Sequence, residues 1–591
     1  DCCTGEATNI KPQPSPGDAP FVFNGDAPLL ISPHDHRRLY FGGRRLHRSD
    51  NRGDDWRQVS PDLTRGIDRN ELEVMGRVWP VDAVAKHRST SIYGNIVTVD
   101  ESHLVEGLIY VGTDDGLIQV TEDDGESWRA IDAFPGVPHM TYVSCVRASR
   151  HDPDTVYATF DGHKNGDFRP HVLVSRDRGR SWTSIAGDLP ERDVAYSINE
   201  DHVRENLLFV GTEYGAYYTL HGDAGRDVPW IEIAGLPTIA VQDIEIQTRE
   251  NDLVLATFGR GIYVVDDYSP LQHVTRADMD EPVHVFPIKD ALFYIPTSKG
   301  HGSQGATFFR ARNPAFGATM TWHLKESVRT GPRLDDDATS PEYDKLREQA
   351  RTRSAAVWLT IRDADGNVVN RLRGPTSAGV HRSTWNLRYA DGPYVVPGTY
   401  TVSISTQVDG VVTELTEAPV PFRVRHLAAG VLQPEDREAV LAFHREAVEL
   451  NRAAGAAARA MRDLDDQLAS IERAVFDTLE ADQGIAHRAH ELRVRIMDLE
   501  EQLNGDDLPA RFQEPTLPGI RDRIRLATAS WRMTAPPTGT QLDALAYARA
   551  DFEALMAELT PLLEEDWPAL QDELDAAGVH WTPGRRLRWD G

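Results

Sequence analysis

Apolar and polar residues alternate in short runs through roughly residues 1–270, and the runs recur. The pieces LYFGG, IYVGT, VYATF, LFVGT and VLATF put Tyr40, Tyr110, Tyr157, Phe209 and Leu255 at spacings of 70, 47, 52 and 46 residues. Short β-type runs with a period near 50 predict the four-stranded units of a β-propeller. The long first interval holds an insertion, roughly residues 60–90. Each unit reads as an innermost strand (YGNIVTVDE, YVSCVRASR, VAYSINED or VQDIEIQT), the IYVGT-type strand, a third strand, a polar turn, and an outer strand that opens at Trp.

The polar turn is itself a repeat. Ser49–Trp56, Thr121–Trp128 and Ser175–Trp182 share Ser/Thr, any, Asp/Asn, any, Gly, any, any, Trp. A fourth stretch keeps Asp223, Gly225 and Trp230 with two extra residues before the Trp. Short polar side chains bond turn amides, and Gly takes a positive φ. The turn residues Ser49, Asn51, Gly53, Trp56, Thr121, Asp123, Gly125, Trp128, Ser175, Asp177, Gly179 and Trp182 are therefore expected to build the units, with each Trp wedged between sheets.

After residue 275 the pattern changes twice. Residues 276–425 alternate again, with a hairpin turn at Asp365–Gly366, and predict an immunoglobulin- or fibronectin-like β-sandwich. A polar stretch near 326–353 reads as a mobile excursion from it. From residue 426 to 591 apolar positions recur at three and four. They predict a helical bundle, with Pro434 in a first turn and later helices near 485–503, 518–533 and from 538. His487 and His490 share one of these helices without a metal-binding order, and read as a solvated face.

Composition narrows the partners. The net charge is −29, from 92 acidic and 63 basic residues, which disfavours nucleic acid and anionic membranes. Seven of the basic residues are Lys and 56 are Arg, a bias read as genome composition. No run of about 18 apolar residues is present to span a membrane. Cys2, Cys3 and Cys145 make neither a disulfide framework nor a four-ligand zinc site. Cys145 is expected as a buried thiol, and no pattern calls for a metal or cofactor.

The turns SRDRGRSW and TEDDGESW resemble the Asp-box, or BNR repeat, of sialidases, xyloglucanase-type glycosidases and the sortilin propeller. The strings MGRVWPVDAVA, LIYVGTDDGLIQVTEDDGESW and LVLATFGRGIYVVDDYSPL are similar to bacterial secreted BNR-repeat proteins. The resemblance implies an extracellular or periplasmic protein. It implies a glycoside hydrolase of the xyloglucanase kind or, as the alternative, a non-catalytic sortilin-like scaffold for a carbohydrate, peptide or protein ligand. The opening residues, DCCTGEATNIKPQP, resemble the outer-strand end of a preceding blade, so an N-terminally truncated or processed propeller is expected.

Topology says where chemistry belongs. The turn after each IYVGT-type strand emerges opposite the polar turn, on the face where the inner strands begin. That rim collects Asp114, Asp115, Asp161, His163, Asp167, Arg169, Glu213 and Arg260, and the insertion with Arg77, Trp79 and Tyr93 adjoins it. Asp115, Asp161, Asp167 and Glu213 are the candidate catalytic carboxyls, since glycoside hydrolysis uses two across the bond. Arg77, Trp79, Tyr93, His163, Arg169 and Arg260 are the candidate ligand contacts. DFRP at 167–170 echoes a sialidase element, but neither an arginine triad nor a Tyr–Glu pair is identifiable from sequence.

Overall fold

The structure, a computed structural model, describes residues 5, 7–88, 92–294, 311–332, 339–390, 392–427, 434–529 and 536–585. Cys2 and Cys3 lie outside them. The chain divides into two compact units, Asp1–Val274 and Thr275–Gly591.

The first unit holds four four-stranded antiparallel sheets followed by one of three strands. In each, strands pair in chain order, so each sheet is a meander. The second strands of the middle sheets, Ile109–Thr113 and Leu208–Thr212, are buried at every residue, because neighbouring sheets cover both faces. Tyr40, Tyr110, Tyr157, Phe209 and Leu255, the recurring positions, are all buried. The cores lie between sheets. Tyr40, Leu46 and Val59 of the first pack with Ile96 and Val111 of the second. Tyr110 and Val120 meet Val143 and Phe160, Val172 meets Ile198 and Val210, and Phe209 meets Ile244 and Leu255. The two end sheets leave Leu29, Ile31, Ile262 and Val264 exposed.

The three polar turns share one set of hydrogen bonds. Ser49, Thr121 and Ser175 each accept the N–H of the turn Gly at 2.7–2.9 Å, and each donates its hydroxyl to Asn51, Asp123 or Asp177 at 2.8–2.9 Å. The same Asn51, Asp123 and Asp177 oxygens accept the N–H four residues on, from Asp55, Ser127 and Ser181. Arg52, Asp124 and Arg178 have φ of 63, 60 and 57°, and the glycines after them 93, 95 and 81°. A side chain is strained in that region, and Gly53 and Gly179 are buried as well.

The tryptophans wedge between sheets, unequally. Trp56 donates its indole N–H to the carbonyl of Ile10, Trp128 to Val59 and Trp230 to Ile185. Val59 and Ile185 directly follow the outer strand of the preceding sheet, whereas Ile10 lies in the chain ahead of the first strand. Trp182 bonds the Gly179 carbonyl of its own turn instead, and it is buried where Trp56 and Trp128 are half-buried. The fourth stretch closes differently. Gly225–Asp227 form a 3-10 turn, and Asp188 accepts the Trp230 backbone N–H.

Four inner strands share a further feature. The register against the second strand shifts by one residue between Ile96 and Thr98, between Ala195 and Ser197, and between Val241 and Asp243. In the third sheet Thr159 pairs with Cys145 and Phe160 with Val143, which leaves Ser144 over. Val97, Ser144, Tyr196 and Gln242 are thus bulge residues at one level of the unit.

The second unit contains a three-stranded and a six-stranded sheet sharing one core, with Trp322, Trp385, Tyr400 and Phe422 among its members. The expected polar excursion contains a helix, Tyr343–Arg351. Its Glu, Lys, Arg and Gln residues are helix formers, and Lys345–Glu342 and Arg347–Asp344 pair one turn apart. Residues 333–338 of that excursion lie outside the described set. Pro434–Asp477, Gly484–Asn504, Ile520–Thr528, Gly539–Pro561 and Trp567–Ala576 are helices around one apolar core. The helix expected over 518–533 ends at Thr528, and 530–533 are among the undescribed residues. No helix among the described residues is long and apolar enough to cross a membrane.

Candidate functional site

The residue after the second strand bonds back to the residue before the inner strand. Asp114 N–H donates to the Asn95 carbonyl, Glu213 N–H to Val194 and Phe258 N–H to Ala240, at 2.9–3.0 Å. In the third sheet the corresponding pair is Asp161 with Tyr142. One position in three successive sheets therefore carries a carboxyl: Asp114, Asp161 and Glu213.

Tyrosines connect this row. The Tyr142 hydroxyl lies 3.5 Å from Asp26, and burial, with Asp26, Asp114 and Asp161 nearby, raises its pKa. The Tyr196 hydroxyl donates to Glu213, and the Tyr196 ring meets that of His163 edge-on at 6.4 Å. Burial, then Glu213 and Asp161, raise the Tyr196 phenol. His163 Nδ1 is 2.6 Å from Asp161 Oδ1. A bulge re-aims the side chain it carries, which is how Tyr196 on an inner strand reaches Glu213.

Asp114 differs from the other two carboxyls. Burial pushes it up to about 6, and neighbouring Asp115 adds to this, against the N–H groups of Asn95 and Gly94 that hydrogen-bond it. Asn24 approaches its second oxygen at 3.5 Å. It is a half-buried acid that carries a proton at mildly acidic pH.

Of the predicted carboxyls, Asp161 and Glu213 join this row. Asp115 sits one residue further on and is fully buried, accepting the Thr113 hydroxyl at 2.6 Å and the Arg65 N–H at 2.8 Å. Asp167 is bound at 2.8 Å by both Arg169 and His171, and Arg169 first, then His171, hold it well below the usual carboxylate range. Arg169 and Arg260 are exposed. Arg77 lies 3.6 Å over the Trp79 ring. Tyr93 is half-buried, its phenol pushed up to about 12 by burial and by Asp115 and Asp114. Asp26 and Asn24 carry no signal in the sequence, and Tyr142 and Tyr196 fall in the loops FPGVPHMTYVS and DLPERDVAYS, expected on this rim but not singled out as contacts.

The opposite rim is occupied by the molecule itself. Arg48 binds Asp50 and Asp124, and Arg178 and Arg180 bind Glu122. In the second unit, Asp278, Glu281 and His284 bring metal-capable atoms within 4.8 Å of one another, but Asp278 already caps the helix Arg276–Asp280 and Glu281 pairs with His284. His487 and His490 are exposed and pair with Glu491 and Glu472. Cys145 is buried, its thiol pushed up to about 11 by burial.

Residues 344–410 match the FlgD Ig-like domain. Over 67 residues the chain is 40% identical to the basal-body rod modification protein FlgD of Salmonella typhimurium, a match covering 11% of this chain and 28% of that protein. Among solved structures, the GH74 xyloglucanase from Xanthomonas campestris aligns at 14% identity and a TM-score of 0.31, covering 65% of this chain and 63% of that one. PorZ, a surface component of the type-IX secretion system of Porphyromonas gingivalis, aligns at 15% identity and a TM-score of 0.25, over 71% and 61% of the two chains. The chain is mainly β, in largely antiparallel sheets, with a match to an Ig-like domain at 344–410, and its C-terminal region is helical.

Proposed function

We propose that the first unit is an Asp-box propeller module of glycoside hydrolase type that takes polysaccharide across the rim of Asp114, Asp161 and Glu213. The observation that carries the reading is the carboxyl at one position of three successive sheets, interleaved with Tyr142 and Tyr196. Rings and carboxylates together suit a polyhydroxylated ligand, the half-buried Tyr142 ring offering a face to a sugar and the carboxylates accepting hydroxyls. Asp114 is the general acid. Its proton goes to the glycosidic oxygen as the bond to the anomeric carbon breaks. Asp161, oriented by His163, takes the proton of the attacking water. An extracellular or periplasmic location goes with this substrate class.

The test is a panel of xyloglucan and β-glucan oligosaccharides, followed by calorimetric binding and by release of reducing ends. Asp114→Asn and Asp161→Asn should each lower turnover at least about 100-fold while binding stays within a few-fold. Turnover that survives both substitutions overturns the assignment. A second reading, a non-catalytic ligand-binding scaffold, is favoured by one observation: Glu213 and Asp167 already hold side-chain partners, Tyr196 and the Arg169–His171 pair. Binding without any release of reducing ends would select it.

A further inference from the structure

The insertion between the first and second sheets lines a half-open cleft of about 480 Å³. Its polar lining is Arg69, Asn70, Lys86 and His87, and its rings are Trp79 and Tyr93. None of the residues that line it is a carboxylate, in a chain of net charge −29. Of the acids adjoining it in sequence, Asp68, Glu71, Glu73 and Asp82, Asp68 accepts both the backbone and the side-chain N–H of Asn70 at 2.9 Å, and Asn70 first, then Lys86 and Arg69, lower its pKa. The cations are held in place. Arg69 lies 3.3 Å from His87 Nδ1, and the Lys86 ammonium donates to the Trp79 carbonyl. Trp79 is fixed by its indole N–H to Val74 and by Arg77 stacked on its ring.

The cleft also borders the rim. Tyr93 lines it and immediately precedes Gly94 and Asn95, whose N–H groups hold Asp114. We propose that this cleft is a subsite for an anionic sugar, a uronic acid unit, of the glycan that the rim takes. The carboxylate meets Arg69 and His87 while the pyranose ring lies against Trp79. The ligand class follows from the lining. Fixed guanidinium and imidazole groups recognise a carboxylate through charge-assisted hydrogen bonds, and an indole face accepts a sugar ring. A volume of this size admits one or two sugar units, which extends the bound chain beyond the Asp114 row.

This subsite rests on the polysaccharide reading above, and the experiment separates the two. The full chain is titrated calorimetrically with trigalacturonic acid, with a neutral xyloglucan oligosaccharide, and with a short peptide bearing a free C-terminal carboxylate. Wild type, Arg69→Gln/His87→Gln and Asp114→Asn/Asp161→Asn are compared. Trigalacturonic acid should bind more tightly than the neutral oligosaccharide, and weaken at 0.5 M salt. The Arg69/His87 pair of substitutions should weaken it at least about tenfold and leave neutral binding unchanged. Trp79→Phe should keep the acidic preference with a smaller gain over the neutral sugar. Equal affinity for acidic and neutral sugars, or the same loss of both in the Arg69/His87 variant, overturns the subsite while the rim reading stands. An acidic preference that persists with turnover absent from every variant supports the subsite and removes the hydrolytic reading. Preference for the peptide over both sugars overturns the ligand class.

Discussion

Replacing Trp182 by Ala tests the sheet-wedge role most directly. Trp182 is 8% exposed. Its ring meets Phe134 edge-on at 5.8 Å, and Phe134 in turn packs at a tilt against Phe160 at 4.7 Å. Its core neighbours Tyr110, Ile118 and Val120 belong to the second sheet, and Phe160 and Leu173 to the third. An indole buried to this extent removes about 200 Å² from water, worth about 5 kcal/mol at about 25 cal/mol per Å². Alanine keeps a small part of this and the unfolded chain hides some area already, so the expected loss is about 3–5 kcal/mol. Trp128, half-buried against the first sheet, should lose about half as much on the same change. Two units make a single melting curve ambiguous, so the assay is amide exchange followed by mass spectrometry. Peptides spanning Ile118–Thr121 and His171–Ser175 should exchange faster in Trp182→Ala, while strands of the second unit stay unchanged. Loss below about 1 kcal/mol, or equal losses for Trp128 and Trp182, would refute burial as the basis of the effect.

The turn chemistry predicts that Ser175→Ala costs about 1–3 kcal/mol, because the buried Gly179 N–H loses its acceptor. Ser175→Thr should stay within about 0.5 kcal/mol of wild type, since Thr121 does this task in the second turn, and amide exchange in His171–Ser175 compares the two variants. The raised carboxyls set a pH dependence. Asp114 and Asp100 are pushed up to about 6, Asp100 by burial. A carboxyl raised in the folded state contributes stability that is complete below its unfolded pKa, near 4, and is lost as pH rises through 6. His47 and His103, lowered to about 4 by burial, act oppositely over the same window, so the carboxyl contribution is read as a difference: from pH 4 to 6 the stability of Asp114→Asn should rise relative to wild type. An unchanged slope in calorimetric melts of both Asp114→Asn and Asp100→Asn would show that these groups do not titrate there.

The turns were legible in the sequence because every partner lies within four residues: Ser49 with Gly53, Asn51 with Asp55. The inter-sheet cores were legible because burial on both faces makes a continuous apolar run of IYVGT type. The candidate row was legible only as carboxyls at like turns of successive units. Tyr142 and Asp26 are 116 residues apart, and Tyr196 reaches Glu213 only because a register shift turns its side chain. Nothing local marks a bulge of that kind. Asp114 and Asp115 look interchangeable in GTDDG, yet one residue of strand phase decides which is buried under Arg65 and which stands in the rim row. The helix Tyr343–Arg351 was hidden for the opposite reason, since its charged composition also fits an unstructured loop.

The register shifts have a consequence for how this molecule can change. Val97, Ser144, Tyr196 and Gln242 stand outside the regular pairing of their strands, so the ladder on either side places little demand on what they are. They occupy the same height in four consecutive sheets and already span an aliphatic residue, a hydroxyl, a phenol and an amide. Tyr196 and Ser144 are nevertheless tied into the frame, Tyr196 in a small core with Val194 and Ala240 and Ser144 through Thr159 and the Ala195 carbonyl. Val97 and Gln242 are the two positions where the frame leaves the choice of side chain open, so a combinatorial library that keeps the fold should start from that pair.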